Sequence, residues 1–245
     1  MDIDSLVQRD KEALAGLEQH LSYRFTDLRL LQKALIHSSF AFEQAQIGNN
    51  NEILEFLGDA VLDLVIGHTL CQRFPEMREG ELTRLRSALV NENHLALMAR
   101  ELNLGEYLCL GKGEDASNGR NKSSILSCAY EAVIGAVFED SDYQMVAQII
   151  CNFFIPAMDA KKEELLMADA KSRLQESLQE EFNEAPSYRL DNEEGPSHQK
   201  IFTVSVIFRE LALGTGTASS KKEAEQKAAA ATLADLDEVI KRFSE

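Results

Sequence analysis

An all-α domain followed by a small α+β domain is the fold the sequence predicts, and three observations predict it. Up to about residue 158, apolar residues recur at spacings of three and four with few strand signals. From Pro156 the stretch PAMDAKKEELLMADAK turns strongly charged. Beyond it, FTVSVIF alternates with a period of two, which puts Phe202, Val204, Val206 and Phe208 on one face of a strand.

The helical pattern runs through LRLLQKALIHSSF, EILEFLGDAVLDLVIGHTL, ELTRLRSALVNENHLALMARELNL and SSILSCAYEAVIGAVFED. Breaks fall at IGNN (47 to 50), at FPEMREG (74 to 80) and in the glycine-rich GKGEDASNGRNK (111 to 122). The second part opens with SRLQESLQEEF, an amphipathic helix, and continues through FTVSVIF and the short strand and turn of LALGTGTASS. It closes with SKKEAEQKAAAATLADLDEVI, a helix of strong formers. The order is helix, three strands, helix. The expected layout is a helical domain over 1–160, a linker over 161–168 and an α+β domain over 169–240.

A chain of 245 residues suits a medium domain plus a small one, and 44% hydrophobic residues exclude a largely disordered protein. No apolar stretch approaches the ~20 residues that span a bilayer, and the N-terminus MDIDSLVQRDKEALAG is acidic, so a cytoplasmic protein without membrane contact is expected. Cys71, Cys109, Cys128 and Cys151 are widely spaced, with neither a CxxC pair nor zinc-finger spacing, and read as reduced thiols. Lys and Arg number 25 against 41 Asp and Glu, a net charge of −16. An acidic chain still binds phosphate where cations cluster locally or where bound metal supplies positive charge.

NEILEFLGDAVLD raises the question of chemistry. Glu52, Glu55 and Asp59 stand on one stripe of a helix, and Asp63 extends it by a turn. A solvated face normally mixes signs, yet no Lys or Arg occurs between Glu52 and Gln72. Ile53, Leu54, Phe56, Leu57, Ala60, Val61 and Leu62 fill most of the remaining circumference, which predicts a largely buried helix with its carboxylates in a narrow polar slot. Confined like charges need a cation. With oxygen donors and no His or Cys in the stripe, Mg2+ or a similar ion fits. Gly58 costs ~1 kcal/mol in a helix relative to Ala, which predicts that another backbone approaches there.

NEILEFLGDAVL is very similar to the signature of the ribonuclease III family. YRFTDLRLLQKALIHSSF, FPEMREGELTRLRSALV and GKGEDASNGRNKSSILSCAYEAVIGAVFED resemble that family's nuclease domain in the family's order, and the C-terminal part resembles its double-stranded RNA-binding domain. The resemblance implies a homodimeric, divalent-metal-dependent endoribonuclease that cuts double-stranded RNA in rRNA, mRNA and tRNA processing, with Mg2+ as cofactor, Mn2+ as substitute and no small-molecule cofactor. It implies 5′-phosphate and 3′-hydroxyl ends with short 3′ overhangs.

Residue by residue, Glu55, Asp59 and Glu131 match metal-binding positions, with Asp59 and Glu131 also catalytic. Glu52 and Glu79 match further acidic positions of the cleft. Phe56 matches an aromatic that inserts into the partner subunit, and Gly58 is assigned to close packing at the dimer. One position departs: Cys128 stands where the family usually has a metal-binding Asp. A thiol with pKa near ~8.5 is mostly protonated at pH 7, and sulfur disfavours Mg2+. Three outcomes stay open: water completes the metal shell, metal affinity weakens, or the chain is a double-stranded RNA-binding protein with weakened catalysis.

Lys221 and Lys222 open a helix with Ser219 or Ser220 as N-cap. Cations there oppose the helix dipole, and an external phosphate resolves the conflict. The resemblance adds Gln175, Glu176 and His198 as groove contacts, and Arg120 and Lys122 lie in a loop positioned for a phosphate near the cleavage site. Residues 169–240 carry 8 Lys and Arg against 14 Asp and Glu, net −6, so weak, salt-sensitive binding by that part is expected.

Overall fold

The first helix, α1 (Ile3–Leu21), is capped by Asp2, whose carboxylate accepts a hydrogen bond from the Ser5 N–H at 2.8 Å. It buries Leu6, Leu14, Leu17 and Leu21 and adds to the helices expected from the sequence. The computed structural model describes residues 2–45, 49–196 and 199–244. Then come α2 (Leu28–Ala34), α3 (Ser38–Glu43), α4 (Glu52–Arg73), α5 (Glu79–Val90), α6 (Glu92–Glu101), α7 (Leu104–Tyr107) and α8 (Lys112–Ala116). The 3-10 turn Gly119–Asn121 leads into α9 (Ser123–Asp140) and α10 (Tyr143–Ala168). The expected break at 74–80 separates α4 from α5. The one at 111–122 contains α8 and the 3-10 turn, and the one at 47–50 lies partly outside the described residues.

Helix α9 is the centre of this part because its sequence is apolar on nearly every side. Ile125, Leu126, Ala129, Ala132, Val133, Ile134, Ala136 and Val137 are all buried, and α2, α4 and α6 pack against it. Such a helix is enclosed by neighbours rather than amphipathic.

The chain divides into two compact units, 1–159 and 160–245. Residues 161–168, expected as a linker, are the end of α10. The strong helix formers of KKEELLMA carry the helix on, and Pro156 lies within it.

The second unit contains α11 (Ala170–Phe182), β1 (Ser187–Glu194), β2 (Ile201–Phe208), β3 (Leu211–Ala218), α12 (Lys221–Ala234) and α13 (Leu236–Ser244). The strands form an antiparallel sheet in the order β1-β2-β3. Leu174 and Leu178 of α11, Val206 and Phe208 of β2, Ala228 and Ala229 of α12 and Val239 of α13 share one core. The alanine face of α12 lies so close to β3 that a Cβ on Gly216 would sit 2.3 Å from the Ala224 carbonyl oxygen. The closing segment, expected as one helix, is two: Asp235 caps α12 and α13 begins at Leu236. This break places Leu236 and Phe243 against the core.

Candidate active site and RNA-binding surface

Helices α4 and α9 cross almost backbone to backbone. A Cβ on Gly58 would lie 1.8 Å from the Glu131 carbonyl oxygen, and one on Gly135 would lie 2.1 Å from that of Leu54. Neither position tolerates a side chain. The crossing brings ligand atoms of Glu55, Cys128 and Glu131 within 4.8 Å of one another, each side chain half-buried. Cys128 and Glu131 share a face of α9 at a spacing of three, and Glu55 faces them from α4.

The electrostatics of this cluster follow from burial among like charges. Burial first, then the charges of Asp59 and Glu55, push the Glu131 carboxyl up to about 7. Burial also pushes the Cys128 thiol up to about 12, reinforced by a hydrogen bond to Glu55 and by the charges of Glu55 and Glu131. Cys128 is thus a neutral thiol donating to a carboxylate at neutral pH. Asp59 is exposed and stands outside the three-residue group, but it acts on Glu131 through its charge. The carboxylates suit a hard divalent cation, and such an ion would offset the burial and the like charges that hold a proton on Glu131. The thiol is the one donor that does not suit Mg2+.

Other expected site residues fall elsewhere. Glu52 lines an open groove with Ser38, Phe42, Glu43, Asn50 and Glu114. Glu79 lines another with Asp63, His68, Cys71 and Arg86, and accepts a hydrogen bond from Thr83 Oγ1 at 2.9 Å. Within one chain, neither joins the Glu55, Cys128 and Glu131 group. Asp63 lies 3.7 Å from Arg86 of α5, so the cation absent from the local sequence comes from a neighbouring helix.

The expectation of a largely buried α4 needs correcting. Phe56 is 77% exposed, Ile53 68% and Leu64 59%, so one apolar side of the helix is open. Within the chain, the backbone that approaches Gly58 is that of α9, against which it is buried. The sequence showed a close approach but not its partner. Gly135, a second mid-helix glycine, carried the same signal and was missed. Asn50 and Asn51 were missed too. Both are buried where α4 starts, and the Asn51 N–H donates to the Ile36 carbonyl at 2.9 Å.

Arg120 and Lys122 stay partly or fully exposed but are paired within the chain. Arg120 donates to Asp115 at 2.8 Å and to the carbonyls of Gly105 and Leu108 at 2.9 and 2.8 Å. Lys122 donates to Glu114 at 2.6 Å and to Ser117 Oγ at 3.0 Å. These partners lie 5 to 15 residues back in the chain, so neither pairing shows in the local sequence.

In the second unit, Gln175 and Glu176 are exposed on α11, and Lys221 and Lys222 are exposed at the start of α12. Ser220 is the N-cap, accepting from the Glu223 N–H at 3.3 Å. Lys221 lies 4.0 Å from Glu193 and 5.6 Å from the Phe202 ring centroid, whereas Lys222 forms no ion pair among the described residues. His198 lies outside the described residues.

Carboxylates gathered at the crossing of two helices form a candidate site for a hard divalent cation, on a chain that also carries an α-β-β-β-α unit with a cationic helix start. Residues 27–158 match the family model described as Ribonuclease-III-like, and residues 170–236 match the double-stranded RNA binding motif. A protein named Ribonuclease 3 from Desulfotalea psychrophila is 67% identical over 237 residues, covering 97% of this chain and 98% of its own. Its namesake from Borreliella burgdorferi is 40% identical over 234 residues, covering 96% of each. Two solved structures of the ribonuclease III nuclease domain from Campylobacter jejuni share 45% identity with this chain at TM-scores of 0.53 and 0.52. They cover 56% and 57% of it and 92% and 95% of their own chains. The chain belongs to the ribonuclease III family.

Proposed function

We propose that this ribonuclease III family member is a homodimeric endoribonuclease that hydrolyses double-stranded RNA with Mg2+, or Mn2+ in its place. The observation that carries the reading is the group of Glu55, Cys128 and Glu131 donors within 4.8 Å, backed by the charge of Asp59 on Glu131. Residues 1–160 form the nuclease and dimerisation part, and residues 169–240 bind the duplex.

Glu55, Asp59 and Glu131 would hold the ion. When bound, it lowers the pKa of coordinated water and neutralises charge on phosphate oxygens. Glu131 keeps a proton near neutrality in the ion-free chain and gives it up on loading. In the reaction, water oxygen bonds to phosphorus and releases a proton to solvent, the bond from phosphorus to the 3′ oxygen breaks, and that oxygen takes up a proton from solvent. The products are a 5′-phosphate and a 3′-hydroxyl, staggered to leave short 3′ overhangs.

Exposed Phe56, Ile53 and Leu64 on α4 support pairing with a second copy, and one of the Campylobacter jejuni nuclease-domain structures is described as flexible in a region involved in dimer formation. Pairing would also return Glu52 and Glu79 to a shared acidic cleft. Gln175, Glu176, Lys221 and Lys222, with His198, contact the duplex through phosphates and 2′-hydroxyls. Among the described residues no helix is long and apolar enough to cross a membrane. We place the chain in the cytoplasm, processing rRNA precursors and structured mRNAs and tRNAs.

The test is cleavage of a long hairpin RNA with analysis of the product ends. Staggered products whose 5′ ends carry phosphate are expected in Mg2+. Intact RNA that stays bound to the chain in both Mg2+ and Mn2+ would instead favour a binding protein.

A further inference from the structure

Cys128 Sγ shares one point with carboxylate oxygens of Glu55 and Glu131, all within 4.8 Å. Two of the donors stand three residues apart on α9 and the third comes from α4. The glycine crossing at Gly58 and Gly135 sets those two backbones against each other, so the donors are presented without rearrangement of the chain. A tetrahedral ion with bonds of ~2.3 Å to sulfur and ~2.0–2.2 Å to oxygen keeps its ligand atoms roughly 3.5 Å apart. That spacing is within reach of side-chain rotation from the observed arrangement. Mg2+ instead demands near-octahedral oxygen donors at ~2.0–2.1 Å. Two carboxylates and one sulfur match borderline and soft divalent ions, and three protein donors leave a fourth position open.

We propose that Glu55, Cys128 and Glu131 form a site for a thiophilic divalent cation of the Zn2+ class, bound through Cys128 Sγ in competition with Mg2+. This deepens the function proposed above and rests on its assignment of Glu55 and Glu131 as metal ligands. Binding exchanges the S–H bond for a sulfur–metal bond and releases one proton to solvent per ion taken up at sulfur. Low concentrations of Zn2+ then inhibit cleavage supported by Mg2+.

Co2+ is the probe, because sulfur-bound Co2+ absorbs by sulfur-to-metal charge transfer and an all-oxygen site does not. Titrating the full chain without RNA is expected to produce this band with saturation at one equivalent. Stoichiometric Zn2+ should remove it and a large excess of Mg2+ should not. Cys128→Ser and Cys128→Asp, shown by circular dichroism to be folded, should lack the band, with Zn2+ affinity lowered at least about tenfold, as for loss of even a supporting group around a metal. Cys71→Ser, which removes an exposed cysteine, should keep it. Absence of the band in the unaltered chain, or its survival in Cys128→Ser, overturns the proposal. Cleavage in Mg2+ by the same preparation separates the two readings. Cleavage without the band overturns the thiophilic site and leaves the nuclease, and the band without cleavage in Mg2+ or Mn2+ supports the site and overturns the nuclease.

Discussion

Glu131 carries an electrostatic conflict, since its carboxyl is half-buried beside Asp59 and Glu55 and pushed up to about 7. Its folded pKa lies above the ordinary 4.5 of the unfolded chain, so its stabilising effect is fully present below pH 4.5 and is lost as pH rises through about 7. Glu131→Gln removes that dependence. In metal-free protein, the melting temperature of the nuclease unit in Glu131→Gln should match its parent near pH 4.5 and exceed it increasingly through pH 7. A difference that stays constant with pH would contradict the assignment. Cys128 leads to a separate expectation. As a neutral thiol it brings no charge to Mg2+, whereas an aspartate would. Cys128→Asp should lower the Mg2+ concentration for half-maximal cleavage, roughly tenfold if the gain matches a supporting group around a metal. Unchanged metal dependence would mean that position 128 does not limit the site.

The crossing of α4 and α9 is what converts sequence into a site. An added methyl at Gly58 meets a backbone carbonyl at 1.8 Å, which no rotamer change relieves. Gly58→Ala should lower stability by about 3 kcal/mol, the upper end of ordinary overpacking. Because Glu131 supplies that carbonyl, cleavage should fall with it. Gly80→Ala, with nothing within 4 Å, is the comparison and should be neutral or stabilising by about 0.5 kcal/mol. Denaturant unfolding of both variants checks the pair, and equal effects would contradict the close crossing. The contrast shows what the sequence revealed. Apolar periodicity located α4 and α9, and the glycine in EFLGDA announced a close approach. Which backbone approached was a tertiary fact, visible only once the second glycine in AVIGAVF lay opposite. The commitments of Arg120 and Lys122 were hidden for the same reason, because their partners come from earlier turns. Strand β1 was weakly signalled because SYRLDNEE is exposed along nearly its whole length and its apolar alternation stops at Tyr188 and Leu190.

At the scale of the whole molecule, an acidic chain with a net charge of −16 must approach a polyanion through local devices. The structure displays Lys221 and Lys222 at a helix start, while many other cations are paired with carboxylates. The self-association proposed above also belongs to this scale. With Phe56 77% exposed on a helix that also exposes Ile53 and Leu64, Phe56→Asp should convert a dimer to a monomer in sedimentation experiments without altering the helical circular dichroism signal. A dimer that persists in this variant would place the interface elsewhere. The central claim concerns the acidic cluster itself, and its most direct test is a cleavage and binding assay on one long hairpin RNA, run across a Mg2+ titration with Asp59→Asn and Glu131→Gln beside the unaltered chain. Metal-dependent cleavage by the unaltered chain, lost in both variants while duplex binding is retained, is the expected result. Undiminished cleavage by either variant, or none by the unaltered chain in Mg2+ or Mn2+, would contradict it.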